Sequence, residues 1–345
     1  MELPHTDLIR NLNKDDFYSL SSNKAKIEFL LRFAILAPST HNSQPWLFAI
    51  GLNSCKIYYD PSVNIRYGDM EQRDLYITIG CLLENFAIVS RYFNIFDRID
   101  YILEGNFVGE LFFRNLEKAN FLQANKDFQY LLETILRRVN VRGKFLPKQI
   151  PKNLVDRLQV IIKNADFRVD FVQGKSIITS LAEIQRAGMI LAHKNPLFRR
   201  EMSKWIHSNF SRALDGLPGY SLKMTAILSL VIPKLIRYVN LGKFLGKMNY
   251  EGFVSAPMAC IISSRDNTKS RWLNVGQLAE RLMLELQYHG VSTSIFVASL
   301  EINNLFKDVQ RVMGFSERPH FLFVAGYMKE RQNFTPRLDL NSKII

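Results

Sequence analysis

The stretch Ala37-Pro38-Ser39-Thr40-His41-Asn42-Ser43-Gln44-Pro45-Trp46 constrains the fold more than any other part of the chain. Ahead of it, Ile27, Leu30, Leu31, Ala34 and Ile35 recur at helical spacing with Asn23 as N-cap, which predicts a helix over residues 24–37 that Pro38 stops. Behind it, residues 46–50 and 55–59 read as two strands of a hairpin turning at 51–54. A polar loop is therefore clamped between a helix end and a strand start. Its hydroxyls, imidazole and carboxamides suit the edge of a flat heterocycle with alternating carbonyls and N–H groups. A helix stop followed by an ordinary turn favours the same residues, so composition leaves both readings open.

At 345 residues, with 47% hydrophobic and 22% charged residues, the chain has enough material for one large core or two lobes. Cys55, Cys81 and Cys260 show no metal-type spacing, and three thiols without a signal peptide fit a reducing, cytoplasmic setting. The net charge of +13 favours anionic partners, but the Lys and Arg residues are dispersed and no nucleic-acid-binding motif accompanies them.

Further along, Leu75, Ile79, Leu82, Leu83, Phe86 and Val89 form the stripe of a long helix, with Asp69 and Gln72 as a capping box. Gly80 and Cys81 on it are small enough to admit a second helix. Asp74 and Glu84 are too far apart on that helix, about 15 Å, to act as a carboxylate dyad. Residues 99–103 and 110–113 read as strands, and a helix begins near Asp127. It leads to Arg137-Arg138-Val139-Asn140-Val141-Arg142-Gly143-Lys144-Phe145, where three arginines and a lysine could clamp a phosphate or form a solvated basic loop.

The rhythm repeats. Residues 168–172 read as a strand and 178–192 as a helix, without a second loop like 37–46. Residues 211–253 break the pattern with an apolar run carrying Lys234, Arg237, Lys243 and Lys247 and no acid. This run is too short to span a bilayer, so it is either a lid over the cleft or a basic amphipathic helix on a membrane surface. From 257 the pattern resumes with a strand, the helix 271–289, and a closing strand at 319–327.

The run A-P-S-T-H-N-S-Q-P-W closely resembles the flavin-binding loop of the nitroreductase superfamily, and Arg138-x-Asn140-x-Arg142 resembles the opening motif of a nitroreductase subunit, with Asn140 where a hydroxyl is usual. With W-L-x-x-G-Q from Trp272 and Thr335-Pro336-Arg337, these features are most similar to the two-lobed Acg-type branch, over roughly residues 24–340. The resemblance implies an α+β fold: a nitroreductase-like unit duplicated in one chain as an internal pseudo-dimer, with helices around mixed or antiparallel sheets. It divides the chain into an arm (1–22), a first lobe (23–125) and a second lobe (126–345) with a lid-like insert at 211–253.

The resemblance also implies FMN as cofactor, with NAD(P)H as electron donor. Arg138, Arg142 and Arg337 would take the phosphate, with Lys144 as a spare. Ser39, Asn42 and Gln44 would take the pyrimidine edge, with Thr40 and His41 beside them, and Pro38 and Asn140 are also expected at the cofactor. The activity expected is hydride transfer from NAD(P)H through the flavin to a nitroaromatic, quinone-like or other oxidised small molecule. The alternatives are FMN storage with little turnover and a membrane-surface module using residues 224–248. No protein nucleophile is required, and His41 is either a proton donor or a scaffold. The scattered histidines offer no metal site, and neither a Rossmann fingerprint nor a P-loop is present. No nucleic acid or transmembrane segment is expected, and the oligomer is a monomeric pseudo-dimer or a homodimer of one.

Overall fold

Ser22, one residue before the expected cap, starts the first long helix. Its Oγ accepts from the Ala25 amide at 3.2 Å, and α1 runs Asn23–Ala34. Asn23 instead reaches the Leu52 carbonyl and the Asn53 side chain, tying the helix start to the hairpin turn. The computed structural model describes residues 9–345 except 64, 120, 121, 123, 164 and 165, so the first eight residues of the expected arm lie outside the described residues. The rest of that arm carries a short 3-10 helix, Lys14–Ser19. Phe17 is fully buried and stacks on Phe93 with ring centroids 3.9 Å apart.

Strands β1 (Trp46–Ile50), β2 (Ser54–Tyr59), β3 (Phe96–Glu104) and β4 (Phe107–Phe113) form an antiparallel sheet in the order β1-β2-β4-β3. Trp46, Phe48, Cys55, Ile57, Val108 and Leu111 are buried, while Lys56, Asp97, Arg98 and Asp100 between them face water. That alternation marks a sheet covered on one side. Helix α2 (Arg73–Tyr92) covers it. No capping box forms at its start: Gln72 is left-handed with φ 59°, and Asp69 accepts from the Leu75 amide at 2.8 Å.

After α3 (Gln129–Ile135) and α4 (Lys152–Ile162), the order of elements repeats. Strands β5 (Arg168–Val172), β8 (Met258–Ser264), β9 (Ser292–Ile295) and β10 (Arg318–Gly326) form a second antiparallel sheet in the order β5-β8-β10-β9, matching the first position for position. Between its second and third strands lies α9 (Lys269–Tyr288), a 20-residue helix like α2, with its glycine at the same place along the helix. The fold is α+β, duplicated within one chain, and both four-stranded sheets are antiparallel throughout rather than mixed.

The two copies meet where α2 crosses α9. A Cβ on Gly80 would stand 2.1 Å from the Leu273 carbonyl oxygen, and one on Gly276 would stand 2.0 Å from the Ile77 carbonyl oxygen. Reciprocal contacts of this kind are the mark of a two-fold axis, here an internal one.

Where the first sheet has a short turn between its first two strands, the second carries residues 173–257, an insertion wider than the expected 211–253. It contains α5 (Lys175–Lys194), α6 (Pro196–Trp205), the two-residue parallel pair β6 (Ile206–His207) and β7 (Leu217–Pro218), α7 (Ala226–Tyr238) and α8 (Gly242–Val254). The insertion explains why β8 and β10 are apolar nearly end to end. Met258, Cys260, Ile262, Phe321 and Phe323 join the core shared with the first sheet, while Ala259, Ile261, Leu322 and Val324 pack on Leu181, Ala182 and Phe253 of the insertion. The helices α10 (Ala298–Glu301) and α11 (Phe306–Met313) link β9 to β10. Among the described residues no helix is long and apolar enough to cross a membrane.

Candidate functional site

Helix α1 tightens at its end: Leu36 and Ala37 donate to Phe33 and Ala34, at 3.2 and 3.1 Å, and the chain then turns at Pro38. The carbonyls of residues 35–37 are left without helical partners, and the negative end of the helix dipole favours cations there. Two guanidiniums fill that role. Arg337 donates from Nε to Ile35 O at 2.8 Å and from Nη2 to Leu36 O and Ala37 O at 3.0 and 3.1 Å, and Arg138 donates from Nη2 to Leu36 O at 2.8 Å.

Past Pro38 the loop takes an unusual path. His41, Asn42 and Gln44 have φ of 52°, 57° and 51°, a left-handed conformation that costs an L-residue roughly 1–2 kcal/mol each. A dense set of bonds offsets that cost. Asn42 accepts from Arg337 Nη1 at 2.8 Å and donates to Pro336 O at 3.0 Å. Gln44 donates to Leu214 O and accepts from the Leu338 amide, both at 2.8 Å, and its own amide donates to Ser39 Oγ at 3.1 Å. The loop is thus latched by the chain's tail, residues 335–338, and by the insertion, whose Gly216 amide donates to Asn42 O at 3.3 Å.

The ten residues singled out from sequence fall into two groups. Asn42, Gln44, Arg138 and Arg337 are buried, 1–4% exposed, and engaged with protein partners. Arg138 also pairs with Glu280 at 3.0 Å, where burial raises the Glu280 carboxyl to about 7 despite the guanidinium. Burial, with the neighbouring Arg138 charge, lowers Arg337 to about 9. By contrast Pro38, Ser39, Thr40, His41, Asn140 and Arg142 are only partly buried.

Asn140 accepts from the Ile295 amide at 3.0 Å, and Val141 N donates to Thr293 O at 2.9 Å, laying this segment along the edge of β9. On the far side Phe145 N donates to Ser255 Oγ at 2.9 Å. The backbone is therefore held on both sides of Arg142, whose guanidinium has no hydrogen-bond or ion-pair partner among the described residues. Desolvation lowers its pKa. Arg142 also acts on the loop: burial, then the Arg142 charge, lowers His41 to about 4, with Asp74 opposing. His41 is therefore neutral at pH 7. Lys144 pairs with Glu251 at 3.0 Å.

Two neighbouring features have no signal in the sequence. A cavity of about 140 Å³ lies against the loop, lined by Thr40, Ser43, Asp60, Asp69, Gln72 and Thr78 among others. This is below the roughly 300 Å³ at which ordinary ligand sites begin, and has room for a single ring. Beside it Asp69, Asp74 and Glu301 bring carboxylate oxygens within 4.8 Å of one another. Arg73 partly balances them, at 3.5 Å from Asp74 and 3.8 Å from Glu301. Burial, then Asp74, raises Asp69 to about 7 and Glu301 well above the usual carboxylate range. Asp74 has carboxylate neighbours after all, but they come from a loop and from the other half of the chain, not from Glu84.

No family model matches the chain, and no curated protein matches it. Among solved structures it is similar to the FMN and NADPH-dependent nitroreductase NfnB from Sphigopyxis sp. strain HMH, with 17% identity and TM-score 0.44 over 62% of this chain and 97% of that one. It is also similar to the FMN-dependent nitroreductase NfnB from Mycobacterium smegmatis, with 19% identity and TM-score 0.41 over 62% and 96%. A third similar structure is nitroreductase A from Vibrio parahaemolyticus, with 12% identity and TM-score 0.38 over 61% and 73%.

Proposed function

We propose that the protein is an FMN-dependent oxidoreductase of nitroreductase type, binding one FMN where the 38–41 face of the loop meets Arg142 across the internal two-fold. The observation that carries this is Arg142 itself, a desolvated cation with no counter-charge among the described residues, held on an anchored segment beside the loop. A flavin phosphate brings close to two negative charges and would satisfy it by charge-assisted hydrogen bonds.

The donor set fits the ring as well as the phosphate. Ser39 and Thr40 offer hydroxyls and Asn140 an amide at a partly buried edge, and neutral His41 can donate or accept without charging. In this reading Asn42, Gln44, Arg138 and Arg337 set the shape of the loop and do not touch the cofactor. With its pKa near 4, His41 acts as scaffold and not as a proton donor. When bound, the flavin would supply the redox step between NAD(P)H and an oxidised small-molecule acceptor. The chain's own part is to orient the ring and shield it. One chain forms the complete site, with 23–125 and 126–345 as the two lobes.

Storage of FMN with little turnover is the second reading, favoured by Leu214 and Gly216 of the insertion, which are bonded to the loop at the site's edge. One experiment separates the readings. The purified protein is loaded with FMN and mixed with NADPH without oxygen. Bleaching of the flavin absorbance within seconds supports the enzyme, a lasting yellow colour supports storage, and a wild type that refuses FMN removes both. Arg142→Ala is expected to lose FMN while melting like the wild type.

A further inference from the structure

Helices α7 and α8 follow one another on the surface, α7 packed on α6 and α8 on α5, and the inner side of α7 is explained while its outer side is not. On α7 the residues Ser229, Ile232 and Ile236 turn inward, where the two isoleucines meet Ile206 with Met202, Leu222 and Leu245 around them. The opposite side of the same helix is also apolar. Ile227, Leu230, Val231 and Tyr238 are 79%, 53%, 52% and 72% exposed, and α8 adds Phe244 and Met248 at 58% and 51%. An exposed apolar face like that of α7 marks an interaction surface.

The charges around it say with what. Lys223, Lys234, Arg237, Lys243 and Lys247 are all exposed, and no Asp or Glu occurs from Gly216 to Tyr250. Just beyond, Glu251 pairs with Lys247 at 3.9 Å and with Lys144 at 3.0 Å. A second copy laid on the same face would set these cations against their own kind, because a two-fold interface opposes identical patches. Apolar side chains interleaved with cations, on helices not long and apolar enough to cross a bilayer, are what an anionic lipid interface accepts.

We propose that the exposed face of α7 docks the protein on an anionic membrane surface, with Ile227, Leu230 and Val231 entering the headgroup layer and the surrounding lysines and Arg237 pairing with lipid phosphates. The docking is peripheral and does not depend on the flavin reading.

The test is flotation of the full-length protein with vesicles of phosphatidylcholine alone or mixed equally with phosphatidylglycerol. The expected result is flotation with the mixed vesicles only, lost at high salt. Ile227→Ser combined with Leu230→Ser and Val231→Ser abolishes it, and each of Lys234→Gln and Lys243→Gln weakens binding roughly fivefold. Because all these positions are exposed, circular dichroism of the variants matches the wild type. Three outcomes overturn the proposal: no flotation of the wild type, equal flotation with neutral vesicles, or a triple variant that still floats. Soluble inorganic phosphate at matched ionic strength must not compete, since competition would mark an anion site in place of a lipid surface. A wild-type dimer in light scattering that the triple variant dissolves, without flotation, assigns the face to a second copy and likewise overturns it.

Discussion

Arg138, Arg142 and Arg337 are alike in sequence and different in circumstance. Arg138 caps a helix end and neutralises Glu280, so Arg138→Ala leaves a buried carboxylate without its partner and is expected to lower stability by about 3 kcal/mol in denaturant unfolding. The same change at Arg142 breaks no hydrogen bond or ion pair among the described residues, so its expected effect, on the proposed reading, is loss of FMN with little loss of stability. A pH experiment at Asp69 tests the carboxylate cluster. The Asp69 carboxyl sits near 7 in the folded chain against an ordinary 3.8, so the folded state holds the extra proton. The stability this gives is fully present below 3.8 and disappears as pH rises through 7. Asp69→Asn keeps an oxygen for the Leu75 amide but cannot ionise. Between pH 5 and 8 the wild type is therefore expected to lose on the order of 2 kcal/mol relative to the variant, read from urea unfolding at both values. The six polar residues of the loop were conspicuous in sequence because they are contiguous. Which of them face inward was not legible, since it depends on Arg337 and Leu338, some three hundred residues away.

At the scale of elements, the periodic helices and apolar strands follow closely from local sequence. The long helices fall at Arg73–Tyr92 and Lys269–Tyr288, and the strand at Arg168–Val172. Gly80 was visible as a small residue on an apolar stripe, but that Gly276 of the other helix is its partner is a tertiary fact. The crossing predicts a strong and symmetrical effect. Gly80→Ala and Gly276→Ala each drive a methyl into the opposing backbone, and each should cost about 3 kcal/mol, measured as lowered melting with flavin content followed alongside. Gly105, open on all sides, is the control for the extra methyl near a turn, though its φ of 56° adds strain of its own. The caps show where short-range reading stops. Ser22 and Asn23 are both good cap residues, and the choice fell to Ser22 because the hairpin turn claims Asn23.

Over the whole molecule, the tail ties the two halves together. After Phe334 it crosses to the first half, where Arg337 and Leu338 latch the loop and Ile345 N donates to Phe48 O at 2.8 Å, beside an Ile344–Phe48 bridge that extends the edge of β1. A stop after Phe334 is expected to lower the melting temperature by on the order of 5 °C or more. It should also open the loop to proteases and abolish FMN binding with Arg142 intact. Flavin retention by that truncated chain would show that the loop keeps its shape unaided. The repeated order of elements made two halves legible, whereas the reach of the insertion, 173–257, was not, because α5 and α6 read as ordinary helices until sheet pairing shows what they interrupt. The tail also fixes an order of events during synthesis. At roughly 5–20 residues per second, the loop waits about 15–60 s after its own synthesis before Arg337 and Leu338 exist to latch it, so until then it must be held by other means.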